Sequence, residues 1–354
     1  RTIAAREGAA SAQDFDLLSA IGRDCVGAFQ FLTEDEEPAD PKQMTAEPID
    51  EMAIGDRITH LGERPLGLND DDFRLSLAGM QDKTALLWQD GRWWIPRGAT
   101  PTSHILKPAP DYGPGGADFS TLPWNEWTCL ALFRALGIPT AEARVEQFGG
   151  RWTLVVERFD RQWRDGVLYR LPQEDCCQAL GVPPERKYES DGGPGMVELL
   201  ELLRGSREVK TDQRTLLEAQ AVFWLLSAID GHAKNFSIGL GPDGFSLRPL
   251  YDVISSAPYP GTFPPEKAKL AMSMGKKRRY EVVNIFPRHF LQTAEQAGFP
   301  VEGIEPILRD LGARLDTALD IVALQARELG APDTIVTSIL DGVAHRKARL
   351  PVHG

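Results

Sequence analysis

Hydrophobic and polar positions follow different periods in the two halves of this chain. Between residues 71 and 158 the apolar runs are short: Phe73–Leu77, Thr84–Trp88, Trp93–Pro96, Ser103–Lys107, Ala143–Gln147 and Trp152–Glu157. Short runs rich in aliphatic and aromatic residues, bounded by turn formers, predict strands. Gln89-Asp90-Gly91-Arg92 carries the Asp-Gly signal of a two-residue hairpin. One longer segment, 124–136, reads as a helix and stops at Gly137. After residue 175 helical spacing takes over, at 196–204, 213–229, 288–297, 303–328 and 332–348. The first 33 residues also read as helical, with Phe15, Leu17, Leu18 and Ile21 on one side and Gly22 as a stop. Residues 34–56 are acidic and carry three prolines, the composition of a solvated loop or linker. Residues 111–123, rich in Gly, Pro and Asp, read as a loop. The pattern predicts an α+β protein with an N-terminal helical and linker segment over 1–70, a small β-rich lobe over 71–158 and a larger helical lobe over 159–354. Such a pair of lobes suits a ligand cleft.

Composition narrows the class. With 354 residues, 42% of them hydrophobic, the chain can bury a sizeable core, which excludes a disordered or fibrous protein. Its net charge of −12 argues against binding nucleic acid through the overall field, though a local basic patch still can. The four cysteines (25, 129, 176, 177) form no CxxC pair, and the six histidines form no HxxxH. Neither a disulfide framework nor a zinc site is legible, and a reducing cytoplasm is the natural compartment. No apolar run approaches about 18 residues, so no membrane span is expected. No signal peptide is visible. The first residue is Arg1, not Met, and the natural chain is expected to begin earlier.

The segment richest in chemistry is 228–238, AIDGHAKNFSI, which follows a strongly apolar helix. Asp230 and Asn235 stand five apart, the spacing of the base and the metal-binding Asn in a kinase catalytic loop. There the Asp accepts the proton of the attacking hydroxyl and the Asn oxygen ligates Mg²⁺ beside the phosphates. Asp252, at the end of the apolar run Leu250-Tyr251-Asp252, offers a second hard-oxygen ligand, a set that suits Mg²⁺ and not zinc. Each piece alone has a plainer reading, since Asp-Gly is commonly a turn and an Asp after a strand commonly a loop cap. The 76–84 stretch, SLAGMQDKT, lies between two predicted strands and is small enough for backbone amides to approach phosphate, but it matches neither GxGxxG nor GxxxxGK[ST] and suits a plain connection as well. Lys107 ends a strand, placed either to contact α/β-phosphates or simply to be solvated. Glu126, early in the 124–136 helix, either pairs with Lys107 or only favours the helix N-terminus. In 155–160, VVERFD, backbone groups are placed to hydrogen-bond an adenine with Phe159 packed on it, or the run is an ordinary strand entering a turn.

Together these stretches resemble the HipA family of serine/threonine kinases, the toxin half of bacterial type II toxin–antitoxin modules. The resemblance runs in one order through FDLLSAIGRDCVGA (15–28), LSLAGMQDKTALL (75–87), SHILKP (103–108), VVERFDRQW (155–163), LPQEDCCQALG (171–181), KYESDGGPG (187–195), AIDGHAKNFSI (228–238), LYDVIS (250–255) and PRHF (287–290). It implies a protein-kinase-like bilobal fold and ATP- and Mg²⁺-dependent phosphorylation of serine or threonine. It casts Asp230 as general base, Asn235 and Asp252 as Mg²⁺ ligands, and Lys107 as a phosphate contact. The loop Ala78, Gly79, Met80, Gln81, Asp82 and Lys83 would cover the nucleotide. Glu157 and Phe159 would flank the adenine, with Arg158 between them. Tyr251, His232, Ala233 and Lys234 would complete the nucleotide side. Ser76 stands at the family's autophosphorylation position, where about −1.5 to −2 of added charge would disrupt a phosphate-holding loop.

The resemblance also implies aminoacyl-tRNA synthetases as targets, growth arrest and persistence as the outcome, and a HipB-like helix-turn-helix antitoxin that bridges to operator DNA. Lys276, Lys277, Arg278 and Arg279 form the one dense basic run, a DNA contact within such a complex or merely a solvated loop. The family's single-chain form carries a small β-rich subdomain ahead of the 15–28 stretch that is not in this sequence, and split versions encode it as a separate protein, an expected further partner. Two other readings fit the same residues: a small-molecule kinase with this loop, and a catalytically silent scaffold acting with a repressor at DNA.

Overall fold

In chain order the computed structural model forms α1 (Asp14–Ile21), β1 (Thr45–Ile49), α2 (Glu51–Thr59), β2 (Thr84–Gln89), β3 (Arg92–Arg97), β4 (His104–Pro108), α3 (Leu122–Ala135), β5 (Ala143–Phe148), β6 (Arg151–Glu157), β7 (Arg161–Arg164), β8 (Val167–Arg170) and β9 (Gln173–Asp175). There follow α4 (Cys176–Ala179), α5 (Met196–Leu202), α6 (Val209–Leu226), β10 (Ser237–Gly241), β11 (Gly244–Leu247), β12 (Lys269–Met274), β13 (Arg279–Glu281), α7 (Pro287–Gln296), α8 (Ile304–Glu328) and α9 (Asp333–Lys347). The structure describes residues 9–11, 13–22, 24–32, 34, 40, 42–61, 81–110 and 117–351. Two compact units result, Arg1–Asp111 with Glu142–Gln173, and Tyr112–Ala141 with Glu174–Gly354.

The first unit is built on a six-stranded antiparallel sheet of order β1-β3-β2-β4-β6-β5. The predicted Asp-Gly hairpin forms between β2 and β3, and both turn residues take positive φ, Asp90 at 53° and Gly91 at 75°. That pair of angles matches the twist of the strands it joins. One face of the sheet buries Leu86, Trp93, Leu106, Phe148 and Val155 against Ile54 and Ile58 of α2. Gly55 of α2 lies so close to the β5–β6 turn that a Cβ there would sit 2.6 Å from the Gly149 nitrogen. Gly55→Ala should therefore destabilise this unit by about 1–3 kcal/mol through overpacking, although Ala is worth about 1 kcal/mol more than Gly in a free helix. A urea midpoint below wild type checks this, and an unchanged or higher midpoint refutes it.

Two N-terminal expectations need correction. Among the described residues of 1–33, the helical reading holds for Asp14–Ile21; the Gly22 N–H closes that helix on the Leu18 carbonyl. Phe15, assigned to its apolar side, is 75% exposed, whereas Leu17 and Leu18 are half-buried. Within the acidic 34–56 segment, β1 and α2 form where a linker was expected. Pro48 is accommodated because β1 is an edge strand, with Ile49 opposite Trp93. Asp50 caps α2 by accepting from the Ala53 N–H at 2.8 Å.

In the second unit α3, α6, α8 and α9 pack together, with Trp124, Phe133, Phe223 and Trp224 fully buried among them. The α3 helix, read from sequence as an insertion in the β-rich lobe, belongs to this unit. Helix α8 buries Ile304, Ile307, Leu308, Leu311, Leu315, Ala318, Val322 and Ala326, the three-and-four spacing of one helical face. Small sheets β11-β10-β9 and β12-β13 complete it. Among the described residues, no helix is long and apolar enough to cross a membrane.

Candidate active site

The Asp230 loop is launched by a helix stop. Helix α6 ends at Leu226, and Ser227 takes the left-handed conformation (φ 53°) that turns the chain out of the helix. Gly231 is required by packing: it does not adopt positive φ, but a Cβ there would lie 2.6 Å from the Phe223 ring. The loop then closes on itself, His232 N–H donating to the Asp230 carbonyl at 2.8 Å and Asn235 N–H to the His232 carbonyl at 2.9 Å. Beyond it the chain enters β10.

The Asp252 segment is fixed from both sides. Leu250 N–H donates to the Pro139 carbonyl at 3.0 Å, and the Leu250 carbonyl accepts from Ala141 N–H at 2.8 Å. The buried Asn125 of α3 grips Ser255 twice, donating to its carbonyl and accepting from its N–H, both at 2.8 Å. Ser255 Oγ donates to the Leu226 carbonyl at 2.6 Å, tying the segment to the end of α6. No strand precedes Asp252, contrary to expectation: β11 ends at Leu247, and Leu250 makes only an isolated parallel bridge with Thr140. Asp252 itself has φ 59°. Asp is one of the few non-glycine residues that readily adopt this left-handed conformation.

Asn235 joins the two segments. Its Nδ2 donates to the Asp230 carbonyl at 2.8 Å and to the Asp252 carbonyl at 3.4 Å. Tyr251 reinforces the joint by donating to the Lys234 carbonyl at 2.8 Å. Lys234 is paired at 2.6 Å with Asp175, which also caps α4. Burial, then the Asp175 charge, pushes the Tyr251 phenol well above its ordinary pKa, so it remains a donor. The Asp230 side chain is 54% exposed and accepts from the Tyr188 hydroxyl at 2.6 Å. His232 is buried, its Nε2 3.8 Å from Asp230 and its Nδ1 without a hydrogen-bond partner. Burial lowers its pKa despite the nearby carboxylate. Tyr188 and Asp175 were not singled out from sequence; both lie in stretches quoted for the resemblance, 187–195 and 171–181, but a role emerges only from contacts with a loop more than 40 residues away.

The fit to a cation rests on the donor set. With the Asn235 nitrogen engaged, Oδ1 is its remaining ligand atom, and Asp252 adds a carboxylate; this hard-oxygen pair suits Mg²⁺, which takes one or two protein ligands and keeps water and phosphate oxygens. Among the described residues no group of three or more His, Cys, Asp or Glu could hold a metal ion by itself.

In the first unit, Lys107 on β4 and Lys83 before β2 are both buried rather than solvated. Gln81 Nε2 donates to the Pro108 carbonyl at 3.2 Å, and Asp82 is exposed. Ser76, Ala78, Gly79 and Met80 lie outside the described residues. Glu126 is buried on α3, in the second unit. Glu157 is exposed at the end of β6 and Phe159 half-buried. Arg158, placed beside adenine by the resemblance, has its side chain engaged in a buried ion cluster. It is 1% exposed and donates to Asp24, Asp160, Thr102 and the Cys25 carbonyl. Arg161 and Arg170 join the same cluster. Of the basic run, Lys276 pairs with Glu295 at 2.8 Å and Arg278 (φ 48°) with Glu189 at 3.4 Å.

Comparison with known families identifies the fold. Residues 75–319 match the HipA-like C-terminal domain. The chain belongs to that family. It is 41% identical over 276 residues to Y4mE of Sinorhizobium fredii, classed by name as a kinase, covering 76% of this chain and 63% of that one. It is 26% identical over 357 aligned positions to the serine/threonine-protein kinase toxin HipA of Shewanella oneidensis, covering 97% of this chain and 77% of that protein. The solved structure of Shewanella HipA with HipB and its operator DNA superposes with a TM-score of 0.80 at 24% identity, over 98% of this chain and 81% of that one. The fold is thus the family's, with a β-sheet N-terminal part and a helical C-terminal part, and its relatives carry kinase names.

Proposed function

We propose that this protein is a HipA-like serine/threonine protein kinase that transfers the γ-phosphoryl group of ATP to a protein hydroxyl. The observation that carries the reading is Asn235 spanning the Asp230 and Asp252 carbonyls, which assembles a base and two oxygen ligands from residues 22 positions apart at most. As the acceptor oxygen attacks the γ-phosphorus and the bond to the ADP oxygen breaks, the acceptor proton passes to the Asp230 carboxylate. Asn235 Oδ1 and the Asp252 carboxylate would hold Mg²⁺, which when bound neutralises charge on the phosphate oxygens. Lys107 is assigned to the phosphates, the 78–83 loop to covering the nucleotide, and Glu157 and Phe159 to the adenine, on the family pattern.

The finer assignments follow the same family pattern: self-inactivation through Ser76, an aminoacyl-tRNA synthetase as target, a cytoplasmic site of action and a separate small N-terminal-subdomain protein. A HipB-like partner is supported by the assembly solved for Shewanella HipA with HipB and operator DNA; that DNA is reached only through this partner follows the family pattern. Lys276, Lys277, Arg278 and Arg279 would be the DNA contact within that complex.

Incubation with Mg-ATP followed by intact-mass and peptide mass spectrometry tests the reading. Phosphate on the chain or on added synthetases, absent with Asp230→Asn, supports it; no phosphate on any protein overturns it. Asp252→Asn, which keeps the shape and tolerates positive φ, should weaken Mg-ATP binding about tenfold or more by removing one charged ligand contact worth about 1.5–3 kcal/mol. Titration of a fluorescent ATP analogue with Mg²⁺ and with EDTA measures this, and unchanged affinity removes Asp252 from the ligand set.

A further inference from the structure

A carboxylate on a half-exposed loop has no reason of its own to keep one orientation, because the terminal torsion of aspartate is broad. Asp230 nevertheless meets a fixed donor. Tyr188 comes from the turn that precedes α5, and its hydroxyl donates to Asp230 Oδ1 at 2.6 Å. Its ring stands edge-on to His232, with centroids 5.0 Å apart at 77°. The Tyr188 carbonyl accepts from Gly193 N–H at 2.9 Å and Asp191 N–H at 3.0 Å, closing the turn. The next residue, Glu189, is buried and anchored on β12, where it accepts from Ser273 Oγ at 2.8 Å and from the Ser273 N–H. The phenol is therefore presented from an element anchored independently of the Asp230 loop. Burial, then the hydrogen bond to Asp230, raises the phenol's pKa, so it stays protonated at neutral pH.

We propose that Tyr188 is a positioning residue of the phosphotransfer site: its hydroxyl holds Oδ1 of Asp230 and thereby reserves Oδ2 for the proton of the acceptor hydroxyl. This rests on the kinase reading above. Tyr188 keeps its own proton throughout, and the proton that moves is the acceptor's. A base swung away from its line of approach by a fraction of an ångström loses much of its effect while nucleotide binding is untouched.

The test is Tyr188→Phe, which deletes one oxygen and keeps the ring against His232. The readout is phosphate transfer from radiolabelled ATP onto the chain itself as a function of ATP concentration, beside the melting temperature. The maximal rate should fall about ten- to hundredfold, with the half-saturating ATP concentration and the melting temperature unchanged. A purely structural brace would lower the melting temperature instead. A normal maximal rate in Tyr188→Phe, with Asp230→Asn inactive, overturns this inference and leaves the kinase reading standing. No transfer by the wild-type protein, to itself or to added synthetases, overturns both. Phosphate found on Tyr188 itself also overturns it, because the hydroxyl would then be an acceptor.

Discussion

Asp230→Asn should lower phosphoryl transfer by about 10²–10⁴-fold, the contribution of a positioned general base, while Mg-ATP affinity and melting temperature stay at wild-type values. The asparagine keeps an oxygen to accept from Tyr188 and removes only the ability to take a proton. The cost to stability is small because the His232 contact is 3.8 Å long and the Asp230 side chain is half-exposed, and ion pairs in such surroundings contribute little. The neighbouring loop bonds are backbone bonds or use Asn235, so they survive the change. Single-turnover transfer with labelled ATP separates the two quantities, since binding is read before chemistry. Normal transfer by the variant would remove Asp230 from the base role. Loss of nucleotide binding together with transfer would assign it to the nucleotide instead.

Arg158→Met should be the most destabilising single change described here, by about 3–5 kcal/mol, because removing one partner of a buried ion cluster leaves the others uncompensated. Asp24 and Asp160 face Arg158, Arg161 and Arg170, with the Asp24, Asp160, Arg158 and Arg161 side chains each no more than 6% exposed. Burial alone would raise both carboxyl pKa values, but the arginines override it, holding Asp160 at about 2 and Asp24 lower still. A carboxylate whose folded pKa lies below its unfolded value contributes stability that is complete above the unfolded value, about 4. That stability is lost as pH falls through the folded value. The first unit should therefore weaken between about pH 4 and pH 2. Urea midpoints at pH 7 and pH 3 check both statements. A midpoint for Arg158→Met within about 1 kcal/mol of wild type would show that water reaches the cluster and screens it.

Local pattern carried far in this chain. Strands β2 to β6 lie where short Val-, Leu- and Trp-rich runs predicted them, and α3, α5, α6, α7, α8 and α9 where apolar residues recur at helical spacing. The Asp-Gly hairpin was legible because both residues tolerate positive φ, a property of the dipeptide itself. Spacing singled out Asp230, Asn235 and Asp252, but not what joins them. The joint is a side-chain amide bridging two backbone carbonyls, to which no periodicity refers.

What the sequence by itself determined was the order and type of most elements, the family, and the three residues on which the proposed chemistry turns, since these depend on neighbours within a few positions. Only the tertiary structure decided the rest. Strand β1 hides in an acidic, proline-bearing stretch because its stabilisation comes from β3, some 40–50 residues later, and not from its own composition. Arg158 reads as a nucleotide neighbour from its motif, yet its charge is claimed by Asp24, 134 positions upstream. Tyr188 meets Asp230 across 42 positions. Contacts at such separation exist only once the chain has closed the intervening loops, so their energies follow from the fold and leave no local trace in the pattern of residues.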